Sequence, residues 1–328
     1  METVTLPNLS LANSRVGLGT WAIGGWMWGG TDEKKSIDTI LSALERGINL
    51  IDTAPAYGFG KSEEIIGKAM AEYRQRERIV LSTKAGLEWK GDEVFRNASE
   101  ERLLKEVDDS LKRLKTDYID VYHVHWPDPA VPIEETAETM YKIHEAGKIR
   151  AIAVSNYSIE QMETFMKEAP LHVSQPPYNL FEREIAETQL PFCKENDIAI
   201  LAYGSLCRGL LSGKMSEDRE FEGDDLRKMD PKFQMPRFKE YLKAVDELDQ
   251  FAKNEHNRRV IHLAVRWMLD SGVEVALWGA RRPDQLEAVD EIWDWSLSPE
   301  DLAEIEQILD NNISEPLGPE FMAPPSRE

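Results

Sequence analysis

The chain has 328 residues, with 39 Lys and Arg against 60 Asp and Glu, a formal net charge of −21. So negative a surface excludes nucleic acid and anionic membrane as partners, and any anionic ligand must be met by a local cluster of positive groups. The 41% hydrophobic and 30% charged residues suit a soluble protein with a sizeable core, and the two cysteines, Cys193 and Cys207, fit a reducing cytoplasm, being neither a disulfide framework nor a zinc site.

Residues 1–14 read as a hairpin turning at Pro7-Asn8 that plugs one end of a barrel; residues 1–10 lack the basic start and apolar stretch of a signal peptide. No apolar run is long enough to span a bilayer. A strand over 16–19 is followed by a helix over 32–46, with Thr31 or Asp32 as N-cap and Gly47 as its stop. Strand 49–52, helix 62–73 and strand 79–84 come next, then helix 99–114 with Ser99 as N-cap and Glu100 and Glu101 in its first turn. Strand 118–125 leads to helix 133–146, ended by Gly147. Strand 149–155, a helix from 158, a strand near 173, a helix from 184 and a strand over 198–203 continue the series. Helices at 238–253 and 259–270, a strand at 275–278, and helices at 283–292 and 299–310 complete it. Eight alternations with continuously apolar strands predict one (β/α)8 barrel domain spanning residues 1–328, its parallel sheet covered by helices. Residues 204–237, too long and too charged for an ordinary loop, are expected to be a lid; residues 316–328 are expected to be loose.

In such a barrel the chemistry sits where the strands end. Three successive strands end at Asp52, Lys84 and His125, and Tyr57 follows shortly after the acid. Singly, each has a bland reading: a helix cap, a solvated strand end, a satisfied core histidine, a turn aromatic. Together at one face they make a coherent proton-transfer set. Reducing a carbonyl leaves an alkoxide that needs a proton, and a phenol with an ordinary pKa of about 10 is a weak acid unless a nearby cation favours its ionised form. Lys84 can be that cation, Asp52 can hold Lys84, and His125 can orient the carbonyl oxygen. No metal is required. His123, two residues before His125 on the same strand face, packs inside the barrel.

The run Gly17-Leu18-Gly19-Thr20-Trp21, the segment from Asp52 through Tyr57 and Gly60 to Ser62 and Glu63, Lys84, and His125-Trp126-Pro127-Asp128 resemble the aldo-keto reductase family. So do Val154-Ser155-Asn156, Gln175-Pro176-Pro177-Tyr178-Asn179 and Tyr203-Gly204-Ser205-Leu206, and the match runs through nearly the whole chain in order. The loop from Trp21 through Trp26 to Trp28 resembles the bacterial branch that acts on sugars and small aldehydes. The resemblance implies a tetrad of Asp52, Tyr57, Lys84 and His125, with Tyr57 as general acid. It also implies a nicotinamide cofactor bound without a Rossmann fold: NADPH, with NADH weaker. Ser155, Asn156 and Gln175 match the positions that hold the carboxamide, and Tyr203 the aromatic that stacks on the ring. Ser205, Leu206, Gly209 and Lys214, flanked by Gly204 and Leu211, fall where the family grips the pyrophosphate. Gly279, Arg281 and Gln285 resemble the segment at the adenosine end, with Arg281 facing a 2′-phosphate and Arg282 assisting. Gly279-Ala280 stand where NADPH-binding members commonly carry a Ser/Lys pair. Gly19, Thr20, Trp21 and Asp52 complete the implied cofactor contacts. Trp21, Trp28, Tyr57, Phe59, His125 and Trp126 are expected to wall a shallow apolar substrate pocket.

Three functions stand open at this point: a carbonyl reductase, a nicotinamide-binding regulatory barrel without significant turnover, and a hydrolase or aldolase using Lys84 as a Schiff base. The partner expected is a small-molecule carbonyl compound, with the protein a monomer or homo-oligomer.

Overall fold

Most strand residues of this chain are buried, and the strands pair in the order in which the sequence presents them. A computed structural model describes residues 1–327. The chain opens with a hairpin of β1 (Thr3–Val4) against β2 (Asn13–Ser14). The strands β3 (Val16–Gly19), β4 (Leu50–Asp52) and β5 (Val80–Ala85) follow. A second hairpin, β6 (Leu87–Lys90) with β7 (Glu93–Arg96), then interrupts the series. It resumes with β8 (Ile119–Val124), β9 (Ile149–Ser155), β10 (Val173–Gln175), β11 (Ala199–Ala202) and β12 (Val275–Gly279). Apart from the two hairpins, the strands form a closed parallel barrel of eight, sealed by β12 against β3 with Leu277 opposite Gly17 and Trp278 opposite Leu18. This is the expected (β/α)8 barrel.

The helices are α1 (Trp21–Gly24), α2 (Glu33–Glu45), α3 (Lys61–Tyr73), α4 (Glu100–Leu114), α5 (Ile133–Glu145) and α6 (Ile159–Phe165), then α7 (Gln189–Glu195), α8 (Arg237–His256), α9 (Val260–Asp270) and α10 (Pro299–Asn312). Helix α2 shows why they form. Asp32 caps it by accepting from the Lys35 backbone N–H at 3.1 Å, and Ser36, Thr39, Ile40, Ala43 and Leu44 line one buried stripe against the barrel. Two hydrophobic layers result, one between strands and helices and one inside the barrel. Leu6 is 1% exposed and packs in the inner layer beside Leu50, Val80, Val121 and Val275, so the first hairpin plugs the end at which the strands begin. Burial of that one side chain is worth about 1.5–3 kcal/mol.

Several boundaries differ from expectation for local reasons. Ser99 precedes α4, but its hydroxyl donates to Asn97 Oδ1 at 2.8 Å and makes no cap. Residues 184–188 are turns, because Pro191 is tolerated only in a helix's first turn and so obliges α7 to start at Gln189. Pro283–Glu291 is a 3-10 helix with a proline at its start. The hairpin β6–β7 carried an alternation too short to stand out from a loop.

At the other end of the barrel, α1 lies against the turn that follows β4. Gly24 and Gly58 meet backbone to backbone there: a Cβ on Gly58 would stand 2.2 Å from the Gly24 carbonyl oxygen, and Gly58 holds φ +67°. Both the close approach and the left-handed backbone require glycine. Gly58→Ala should therefore destabilise the fold by roughly 2–4 kcal/mol. Equilibrium denaturation would measure it, and a change below about 0.5 kcal/mol would show that the turn relaxes freely.

Candidate active site

The mouth of the barrel, where the strands end, holds a buried ion pair. Lys84, at the end of β5, donates from Nζ to Asp52 Oδ2 at 2.7 Å and to the Thr53 carbonyl at 2.8 Å; the two side chains are 1% and 4% exposed. Asp52 Oδ1 accepts from Ser82 Oγ at 2.7 Å and from Gln175 Nε2 at 2.9 Å. Because the single Ser82 hydroxyl proton goes to the carboxylate, its contact with His123 Nε2 at 3.0 Å is one in which the imidazole donates. His123 is fully buried, as the strand period implied. Ser82 carried no motif signal; it faces Asp52 across the β4–β5 register.

Tyr57 stands above this pair. The Lys84 Nζ lies 5.2 Å from its ring centroid, Trp21 stacks on it at 5.8 Å, and His125 meets it edge-on at 5.8 Å. Tyr57 and His125 both line a cavity of about 250 Å³ that opens to solvent. Among the described residues, neither the Tyr57 hydroxyl nor the His125 ring makes a hydrogen bond. Burial, then the Asp52 charge and Tyr203, push the Tyr57 phenol well above its ordinary pKa. This corrects the expectation of a lowered phenol: burial is the largest influence on it, and it acts upward. Burial, followed by Lys84 and His123, holds His125 well below the ordinary imidazole range, so it is neutral. Burial also lowers Lys84, against the opposing pull of Asp52.

Three further strand ends close the floor. Ser155 Oγ donates to the Gln175 carbonyl at 2.8 Å, Asn156 Nδ2 donates to the His125 carbonyl at 3.0 Å, and the Tyr203 hydroxyl donates to Asn156 Oδ1 at 2.8 Å. Ser155, Asn156, Gln175 and Tyr203 all line the cavity.

A family model described as "Aldo/keto reductase family" matches residues 15–310. The chain belongs to this family. It is 64% identical over 329 aligned residues to the aldo-keto reductase YhdN of Bacillus subtilis, covering 100% of this chain and 99% of that one. It is 36% identical to the NADH-specific methylglyoxal reductase of Escherichia coli, over 87% of this chain and 91% of the relative. Among solved structures, a glycerol dehydrogenase from Gluconobacter oxydans superposes with a TM-score of 0.88 at 50% identity, over 98% of this chain and 99% of that one. This member of the aldo/keto reductase family is accordingly an oxidoreductase.

The remaining site residues divide into two groups. Trp21 and Trp126 line the cavity. Trp28 and Phe59 do not, which corrects their assignment: Trp28 stands edge-on behind Trp21, and Phe59 packs behind Trp26. The wall is instead completed by Trp26, Met27, by Leu87 and Val94 of the second hairpin, and by Phe321, Met322, Pro324 and Pro325. The last four correct the expectation of a loose C-terminal stretch. Arg96 pins it, with its backbone N–H on the Pro325 carbonyl at 2.9 Å and Nε on the Pro324 carbonyl at 2.8 Å.

At the cofactor side, Gly19 sits in register with Asp52 and Gly279. Thr20 is wholly buried and donates to the Asp52 carbonyl, so its side chain supports the floor rather than facing the cleft. Leu211 is likewise buried, with its N–H on the Leu206 carbonyl; Ser205 Oγ donates to the Leu277 carbonyl, and Leu206 stays half-buried. Gly204 and Gly209 turn the backbone at φ +77° and +90°, and Lys214 is exposed. Gln285 Oε1 accepts from the Arg281 and Arg282 N–H groups and shapes their turn. Arg282, about half exposed, pairs with Asp284. Arg281 donates to the Trp28 carbonyl at 2.7 Å and keeps its other donors; burial and the neighbouring Arg227, Arg282 and Arg219 lower its pKa. Asp225 opposes them.

The residues present fit a nicotinamide dinucleotide. Tyr203 offers a flat ring at the cavity, Asn156 Oδ1 keeps a second lone pair, and Arg281 beside the Trp28 carbonyl keeps donors to spare. Among the described residues there is no grouping of His, Cys, Asp and Glu that could hold a metal, and no helix is long and apolar enough to cross a membrane.

Residues 204–237 lie across this cleft as three short 3-10 turns (Cys207–Ser212, Leu226–Lys228, Pro231–Phe233). The segment latches to the loop after α1: Asp224 accepts from the Met27 and Gly29 N–H groups at 2.7 and 3.1 Å, and the Leu226 N–H donates to the Met27 carbonyl at 3.0 Å. At about 1 kcal/mol per hydrogen bond, Asp224→Ala should speed amide exchange in residues 25–30 and 224–229 by roughly fivefold or more while barely moving global stability. Exchange–mass spectrometry checks it; equal rates would mean the latch contributes nothing.

Proposed function

We propose that the protein reduces small, uncharged aldehydes and ketones, sugars among them, to alcohols with NADPH, using Tyr57 as the proton donor. The observation that carries this reading is the pairing of an unbonded phenol and a neutral imidazole at one cavity wall above a buried, charged Lys84–Asp52 pair. When bound, the reduced nicotinamide supplies the two electrons and the hydrogen that reach the carbonyl carbon. His125 and Tyr57 hold the carbonyl oxygen with their N–H and O–H. Tyr57 keeps its proton through the neutral range, because burial favours its uncharged form. It surrenders the proton only to a much stronger base, the alkoxide formed in the reaction. The Lys84 charge, 5.2 Å from the ring centroid, then steadies the phenolate that remains. His125 cannot act as a charged acid near neutrality. Among the described residues no cationic side chain lines the cavity, so the site selects neutral substrates over phosphorylated ones.

Tyr57→Phe should lower kcat and kcat/KM together by ~10²–10⁴-fold and leave cofactor binding intact. Lys84→Met should be comparably damaging, and Asp52→Asn milder. The pH dependence has a definite sign. Reduction needs protonated Tyr57 and charged Lys84, and both forms are lost as pH rises. Lys84, lowered from its ordinary value, is lost first and sets the alkaline limb, while His125 contributes no limb near pH 6.5. Near-normal kcat in Tyr57→Phe, or a rate that falls as pH rises through about 6.5, would hand the proton to His125.

Cofactor choice rests on Arg281. A charge-assisted contact with a 2′-phosphate is worth roughly 1.5–3 kcal/mol, about tenfold to over a hundredfold in affinity. Arg281→Ala should lose most of the preference for NADPH and leave NADH affinity nearly unchanged, as read by fluorescence titration. Equal affinities in the unmodified protein would place it with the NADH-specific relative instead.

A further inference from the structure

The stretch that walls the substrate side of the cleft is a bridge founded on two different parts of the molecule. Its far end rests on the second hairpin and the residue after it, through the Arg96 contacts to Pro324 and Pro325 and through Arg327 to Asn97 Oδ1 at 2.6 Å. Its near end reaches the lid. Lys232 donates from Nζ to the Gly318 carbonyl at 3.1 Å and to Glu182 Oε1 at 2.8 Å. Beside it, the Leu317 N–H reaches the Tyr241 hydroxyl of α8 at 3.4 Å. Phe321 and Met322 face the cleft between the two ends.

Lys232 belongs to a group of four buried charges. Arg208 Nη2 bonds Glu182 Oε1 at 2.6 Å and its Nε bonds Asp230 Oδ2 at 2.5 Å; no side chain of the four exceeds 4% exposure. Two cations and two anions leave the group neutral, and a buried ammonium must keep its acceptors. Withdrawing residue 318 leaves a donor of Lys232 unmet. Moving the lid takes Lys232 away from both Glu182 and Gly318. The Arg208 guanidinium also lies 5.6 Å from the Phe321 ring, so the charge group touches the wall itself. Through Asn179, whose Nδ2 bonds both Glu182 Oε2 at 2.7 Å and the Gly204 carbonyl at 3.1 Å, it reaches the residue after Tyr203.

We propose that Lys232 is a positioning residue that makes the substrate wall conditional on the lid, seating residue 318 only while the lid is closed and so setting which carbonyl compounds the pocket accepts. This rests on the reading of the cleft as a carbonyl site. Without the tie, Phe321 and Met322 retreat; small aldehydes lose their packing, and bulkier ones lose less because they need the room.

The test is Lys232→Met in the full chain, with Lys232→Gln, which keeps a donor without the charge, as the milder variant should methionine not fold. Amide exchange over residues 317–323 should speed about tenfold, the equivalent of ~1.4 kcal/mol. KM for propionaldehyde should rise about tenfold with kcat held within about twofold, and KM for benzaldehyde should rise less. A chain ended after Gly318 should show the same KM pattern, and Lys232→Met should add nothing to it, since both remove one wall. Unchanged exchange over 317–323 in a folded variant, additive KM effects, or a fall in kcat at constant KM would overturn the proposal. If the unmodified protein turned over no aldehyde, the carbonyl reading would fail, and the exchange measurement would still decide whether Lys232 holds the bridge.

Discussion

One buried ion pair organises the mouth of this barrel. Lys84 and Asp52 sit where water cannot reach them, and buried charges persist only if paired and fully hydrogen-bonded. Their partners come from Ser82 on β5, Gln175 on β10 and the Thr53 carbonyl just past β4, so three strand ends are tied in one arrangement. The same pair sets the electrostatics around it. The Asp52 charge adds to burial in keeping Tyr57 protonated, and the Lys84 charge adds to burial in keeping His125 neutral. A phenol that holds its proton beside an imidazole that cannot take one is a division of roles made by environment, not by residue type.

Floor and walls of the cleft are built differently. The floor is polar and comes from strand ends, whose backbone is held on both sides by the sheet. The walls are apolar and come from segments outside the β/α alternation: the loop after α1, the hairpin β6–β7, the lid and the C-terminal bridge. Strand ends thus carry the groups whose geometry matters to within a fraction of an ångström, while irregular segments carry the groups that need only exclude water and fill space. Self-neutral charge groups such as that of Glu182, Arg208, Asp230 and Lys232 give the irregular segments the fixed contacts that a ladder would otherwise supply.

Much of this was legible beforehand. Eight apolar runs alternating with helices in one unbroken series pointed to a closed parallel sheet more than to an open one, and Asp52, Tyr57, Lys84 and His125 lay at or just past the ends of those runs. What was missed was non-local. Trp28 and Phe59 have the composition of pocket residues, but whether an aromatic faces a cleft or the back of another ring depends on loop packing that no short motif encodes. Phe321 and Met322 sit in a Pro-rich, polar stretch that reads as loose; contacts from residues far away in the chain, Arg96 and Lys232 among them, give it a fixed place.

Residue type and spacing alone determined the barrel, the plug at its closed end and the identity of the four groups at its mouth, because strand periodicity and burial are local consequences of side-chain chemistry. The tertiary structure alone decided which way the pKa values move, which aromatics meet substrate, and that lid and C-terminal bridge share a buried lysine. Those properties depend on distances between residues far apart in the chain and on how completely water is excluded, and neither is a property of any segment by itself.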